Sequence, residues 1–117
     1  MPKILVADDE KAMLGLYSRI FAGREYELTM ASNFAEAASL IGSGEYDLLV
    51  TDLTFPDGLG TELVKLFREK QRSARTLLVT GTAPLDSQLV KGAGSVCFEK
   101  PFKVDAFLSA VERALAA

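Results

Sequence analysis

Five short β-branched or aliphatic runs alternate with stretches of helical period along the whole chain, and few folds satisfy that pattern. The runs are KILVAD (3–8), YELTMAS (26–32), DLLVT (47–51), RTLLVT (75–80) and SVCFE (95–99). Between the first two, EKAMLGLYSRIFAG (10–23) sets Met13, Leu16, Tyr17 and Ile20 on one helical face before Gly23 stops it. FAEAASLIGSG follows a cap at Ser32 or Asn33, with Glu36 three residues beyond Asn33 as in a capping box. GTELVKLFREK reads as a third helix, PLDSQLVKG as a short helical piece, and VDAFLSAVERALAA as a last amphipathic helix. Strict alternation predicts an α/β class: one doubly wound (βα)5 domain over residues 1–117, its parallel sheet covered by helices on both faces through right-handed crossovers. The unbroken LLV and TLLV cores suit central strands buried on both sides, whereas YELTMAS alternates enough to lie nearer an edge.

Composition narrows the chemistry. At 117 residues, 49% apolar and 25% charged, the chain is large enough to close a core without staples. The net charge is −3 and the 13 Lys and Arg are scattered, which argues against direct nucleic-acid binding. FREKQRSAR reads as a solvated helix end and loop rather than a basic patch. With no histidine and one cysteine, imidazole and multi-thiolate metal sites are excluded, as are triads with a histidine base. A lone Cys97 fits a reducing compartment, and MPKILVADDE breaks into charge too early for a signal peptide or membrane span, so a cytoplasmic location is expected.

In a doubly wound sheet, ligands bind beyond the carboxyl ends of the strands. Asp8 and Asp9 end the first run, Asp52 follows the third, Thr80 ends the fourth, and the fifth leads into Glu99, Lys100 and Pro101. Converging carboxylates repel unless compensated, and a hard divalent cation such as Mg²⁺ (or Mn²⁺) binds oxygen ligands. Asp9 and Asp52 are the expected direct ligands, Asp8 a ligand through water, and the Thr54 backbone carbonyl a third protein oxygen. Lys100 adds a fixed charge and Thr80 a hydroxyl donor. A metal, a lysine and a hydroxyl around a carboxylate describe phosphoryl transfer, with Asp52 as nucleophile.

The motifs VADDE, VTDLTFPDGLG, LLVTGTA and FEKPF together resemble those of response-regulator receiver domains of two-component signalling, over essentially the whole chain. The resemblance implies the flavodoxin-like strand order 2-1-3-4-5 and a phosphoryl group accepted on Asp52 from a histidine kinase or phosphotransfer protein. It assigns Asp8 and Asp9 to Mg²⁺, Thr80 to sensing the phosphoryl group, Lys100 to an ion pair with it, and a cis peptide before Pro101. Gly81 fits a position where bulk would narrow access. The expected role is a switch of a protein-interaction surface toward a downstream protein partner, without turnover of an external substrate. In two places the chain departs from the family. Cys97 stands where an aromatic is usual, while Phe98 points to the opposite face by strand periodicity. The segment from Thr80 to Lys100 is slightly short, which predicts a reshaped signalling face around APLDSQLVKGAG.

Plainer readings exist for each residue alone. Asp8 and Asp9 can cap a helix, Thr80 can end a strand, Lys100 can be a turn lysine, and Cys97, Phe55, Phe98 and Phe102 can be packing residues. Two other functions compete with the switch. A phosphatase of haloacid-dehalogenase type also uses a strand-end aspartate with Mg²⁺, but needs an acid two residues on, where Thr54 stands. A phosphorylation-independent interaction module is the other.

Overall fold

The computed structural model describes residues 1–71, 75–81 and 96–116. In chain order these form β1 (Lys3–Ala7), α1 (Lys11–Phe21), β2 (Glu27–Ala31), α2 (Phe34–Ser43), β3 (Leu48–Asp52), β4 (Thr54–Phe55), β5 (Gly58–Leu59), α3 (Gly60–Lys70), β6 (Arg75–Thr80), β7 (Val96–Glu99) and α4 (Val104–Ala116). Five strands make one sheet in the order β2-β1-β3-β6-β7, with every pairing parallel. Counting only those strands, this is the order 2-1-3-4-5 expected of the sequence. The helical piece expected in PLDSQLVKG, and the APLDSQLVKGAG face with it, lie outside the described residues. No helix among the described residues is long and apolar enough to cross a membrane.

The period-2 alternation of the strands divides the core into two layers. Leu5, Ala7, Leu49 and Leu78 face α2 and α3, where they meet Ala37, Ile41, Leu63, Val64 and Phe67. Ile4, Val6, Leu48, Val50, Leu77 and Val79 face α1 and α4, against Tyr17, Ile20, Phe21, Phe107 and Val111. Cys97 packs into the first layer and Phe98 into the second, as their alternation predicts. The second layer is rich in rings: Phe102 stacks on Phe107 at 4.7 Å, and Phe107 also meets Tyr17, Phe21 and Phe98 at 5.7–6.1 Å. Phe55 is buried with the α2–α3 layer, so Phe55, Phe98 and Phe102 are packing residues.

Helix α2 is held at both ends by the chain segment that follows β3. At its start Asn33 caps the Glu36 amide at 2.7 Å, and the Glu36 carboxylate returns to the amide of Ser32, one residue before the cap. The next two free amides, those of Phe34 and Ala35, donate to the Asp57 carboxylate at 3.0 and 3.1 Å. Those amides have no partner within the helix, and a carboxylate there also meets the positive end of the helix dipole. At the other end the Lys70 ammonium donates to the carbonyls of Ile41, Gly42 and Gly44. The loop expected between β3 and α3 contains the antiparallel pair β4–β5, a small hairpin that lies against α2.

Gly60 closes this segment onto the end of β3. Its amide donates to the Leu53 carbonyl at 2.7 Å, and a Cβ at residue 60 would stand 1.9 Å from the Asp52 carbonyl oxygen. Gly42, in α2, has nothing within 4 Å of its Cβ direction. Gly60→Ala is therefore expected to lower stability by about 2 kcal/mol or more through a forced backbone shift, whereas Gly42→Ala raises it by about 0.5 kcal/mol through helix propensity. Urea denaturation of the two variants beside the parent checks both signs.

Candidate functional site

The carboxyl ends of β1, β3, β6 and β7 deliver the chemically capable side chains to one rim. Asp8 follows β1, its amide bound to the Ala31 carbonyl at 3.1 Å. It is fully buried, and its Oδ1 accepts from the Glu10 amide at 2.9 Å. Asp52 is the last residue of β3, 6% exposed, with Oδ1 accepting from the Leu53 amide at 2.8 Å. Thr80 ends β6 and is buried, and its carbonyl accepts from the Lys100 amide at 2.8 Å. That bond fixes the backbone from which the Lys100 side chain crosses the rim. The Lys100–Pro101 peptide is cis.

Lys100 Nζ meets three carboxylates at once: Glu10 Oε1 at 2.9 Å, Asp8 Oδ2 at 3.0 Å and Asp52 Oδ2 at 3.3 Å. One ammonium has three N–H donors, so all three are engaged. Burial pushes the Asp52 carboxyl above its ordinary value, with Lys100 opposing the shift and Asp8 adding to it. Asp8 is raised for the same first reason, against the Glu10 amide and Lys100. For Lys100, burial works to lower the ammonium's pKa, but hydrogen bonds to Glu10 and Asp8 outweigh it and the net shift is upward. Behind the rim, burial and then the nearby Asp8, Asp52 and Glu10 carboxylates push the Tyr17 phenol upward, keeping it neutral.

Asp8, Asp52 and Lys100, all read from the sequence, come into direct contact. Asp9 is exposed and lines an open cleft with Glu10, Asp52, Thr54, Phe55, Pro56, Gly81 and Lys100. Gly81 leaves ordinary contact space: a Cβ there would stand 3.6 Å from the Lys100 Cβ and Cδ. Cys97 lies away from the cleft in the α2–α3 layer, and burial raises its thiol pKa. Glu10 and Asp57 are not among the site residues expected from the sequence. Glu10 had a signal, a third acid adjoining the pair in VADDE. Asp57 had none, because its partners are 22 and 23 residues away in the chain.

Asp8, Glu10 and Asp52 place one carboxylate oxygen each within 4.8 Å of one another, a group that could hold a metal ion. The donor set fits a hard cation such as Mg²⁺: it is all oxygen, and three carboxylates against one ammonium leave two negative charges uncompensated.

Residues 4–112 match the family model described as response regulator receiver domain. Among curated proteins, the chain is 29% identical over 115 residues to sporulation initiation phosphotransferase F of Bacillus subtilis, covering 97% of this chain and 93% of that protein. It is 30% identical to the DNA-binding transcriptional regulator NtrC of Azospirillum brasilense, covering 96% of this chain but spanning only 24% of that longer protein. Among solved structures, a CheY-like receiver domain protein of Methanospirillum hungatei superposes with a TM-score of 0.91 at 27% identity, over 99% of this chain and 94% of that one. The response regulator TrrA of Thermotoga maritima, solved in complex with Mg²⁺-BeF, does so with a TM-score of 0.88 at 31% identity, over 98% and 100%. The sheet order, the acidic rim with its lysine and the family match over nearly the whole chain together give its identity: it belongs to the response regulator receiver domain family.

Proposed function

We propose that residues 1–117 act as a single phospho-accepting receiver, with Asp52 taking a phosphoryl group from a histidine kinase or a phosphotransfer protein. The observation that carries this reading is the Asp52 carboxylate itself, nearly buried at a strand end with one oxygen held by the Leu53 amide and the other facing Lys100. In the transfer, an Asp52 oxygen attacks phosphorus, the O–P bond forms as the N–P bond to the donor imidazole breaks, and the electron pair leaves with that nitrogen. Hydrolysis reverses the modification: water attacks phosphorus and Asp52 regains its carboxylate as inorganic phosphate departs. The chain thus modifies and restores itself without turning over an external substrate.

Asp8, Asp9, Asp52 and the Thr54 carbonyl would hold Mg²⁺ or Mn²⁺, which supplies neutralisation of the phosphoryl oxygens. Lys100 provides the permanent positive charge on the same side, and the Thr80 hydroxyl would donate to a phosphoryl oxygen. Gly81 keeps the approach open. The modified site then biases the surface beyond β6 toward a downstream protein partner, in the cytoplasm and without contacting nucleic acid or membrane through this segment. Since Cys97 replaces the aromatic usual for the family, the signal leaves by another contact.

Incubation with acetyl phosphate and Mg²⁺ is expected to add the mass of one phosphoryl group to the parent and nothing to Asp52→Asn or to a sample containing EDTA. A phosphorylated Asp52→Asn protein would remove Asp52 as acceptor. The electrostatics give a second expectation. A carboxylate whose folded pKa is raised binds its proton more tightly folded than unfolded, so its charge destabilises the fold at neutral pH and the loss is relieved as pH falls through the folded value. Asp52→Asn should therefore be more stable than the metal-free parent at pH 7, with a higher Tm. In calorimetry the gap should narrow on acidification.

A further inference from the structure

Resting on the phospho-acceptor reading, we infer that Glu10 is a displaceable latch on Lys100: it occupies, in the unmodified protein, the ammonium donor that a phosphoryl oxygen on Asp52 must take. All three Nζ donors are engaged, so an arriving phosphoryl oxygen can bond to Lys100 only by displacing a carboxylate. The three carboxylates differ in how readily they leave. Asp8 is fully buried and locked through its second oxygen to the Glu10 amide. Asp52 carries the incoming group. Glu10 makes the shortest of the three contacts, yet its side chain is 58% exposed, so releasing it into water costs little.

The local backbone gives Glu10 this place. It is the N-cap of α1, in extended conformation, with its carbonyl accepting from the Leu14 amide. Its carboxylate makes no capping bond to the helix and reaches Lys100 instead. A longer acid at this cap spans the 90 residues of sequence that separate the end of β1 from the end of β7, where a Ser or Asp would turn back on its own helix. Glu10 is thus a positioning residue acting through Lys100: it holds the ammonium at the mouth of the cleft beside Asp52, and it competes with the phosphoryl group for it.

The test measures beryllofluoride binding at saturating Mg²⁺ by calorimetry, with Mg²⁺ affinity measured separately, for the parent, Glu10→Gln, Lys100→Met and the double variant. Removing the competitor should tighten beryllofluoride binding in Glu10→Gln by about two- to fivefold, as expected for a partly exposed ion pair. The gain should fall to less than twofold in the Lys100→Met background. An equal gain in both backgrounds would mean that Glu10 acts only as bulk negative charge and would overturn the latch. Unchanged or weaker beryllofluoride binding in Glu10→Gln, or a loss of Mg²⁺ affinity of tenfold or more that makes Glu10 a metal ligand, would also overturn it. If the parent itself binds no beryllofluoride with Mg²⁺, the phospho-acceptor reading fails and the latch with it.

Discussion

The Lys100 ammonium, set among the carboxylates of Asp8, Glu10 and Asp52, is the contact on which the site depends. It joins the ends of β1, β3 and β7, strands far apart in sequence that the crossovers bring into one sheet. Without that charge, a nearly buried Asp52 beside a fully buried Asp8 would be strongly disfavoured as a pair of anions. With it, the pair is tolerated but still under-compensated, since one positive charge faces three negative ones. The residual negative potential favours a bound cation.

The fold supplies this rim with a firm floor. Gly60 presses against the Asp52 carbonyl, Asp57 holds the β4–β5 hairpin to the first turn of α2, and Lys70 takes the last carbonyls of the same helix. The stretch from Asp52 to Lys70 therefore grips α2 from both ends while carrying the candidate nucleophile at its start. A disturbance at Asp52 has a short route to α2, five residues along the chain to Asp57 and then through its bonds to the Phe34 and Ala35 amides. On the opposite side of the sheet, the Tyr17, Phe102 and Phe107 rings pack closely beneath the segment that bears Lys100.

Much of this was legible in the sequence because it rests on periodicity. The alternation of strand and helix fixes parallel pairing, parallel pairing puts the carboxyl ends on one rim, and so Asp8, Asp52, Thr80 and Lys100 had to converge. Alternation along VCFE likewise separated Cys97 from Phe98 into different layers. What escaped were contacts made by polar side chains across long stretches of chain. The reciprocal bond of the α2 cap goes to Ser32 rather than Asn33, Asp57 caps a helix it does not belong to, and Glu10 spends its carboxylate on Lys100. Each involves a residue that by itself reads as solvated, and only the assembled sheet supplies its partner.

Reductive trapping tests the central assignment most directly. Borohydride reduces an acyl phosphate, but not a free carboxylate, to the alcohol, so the modified residue can be read by peptide mass mapping after exposure to acetyl phosphate and Mg²⁺. The reduced side chain is expected at position 52 and nowhere else. Reduction at Asp8, Asp9 or Glu10 with position 52 untouched would contradict the account, as would a chain that shows no reduced residue at all.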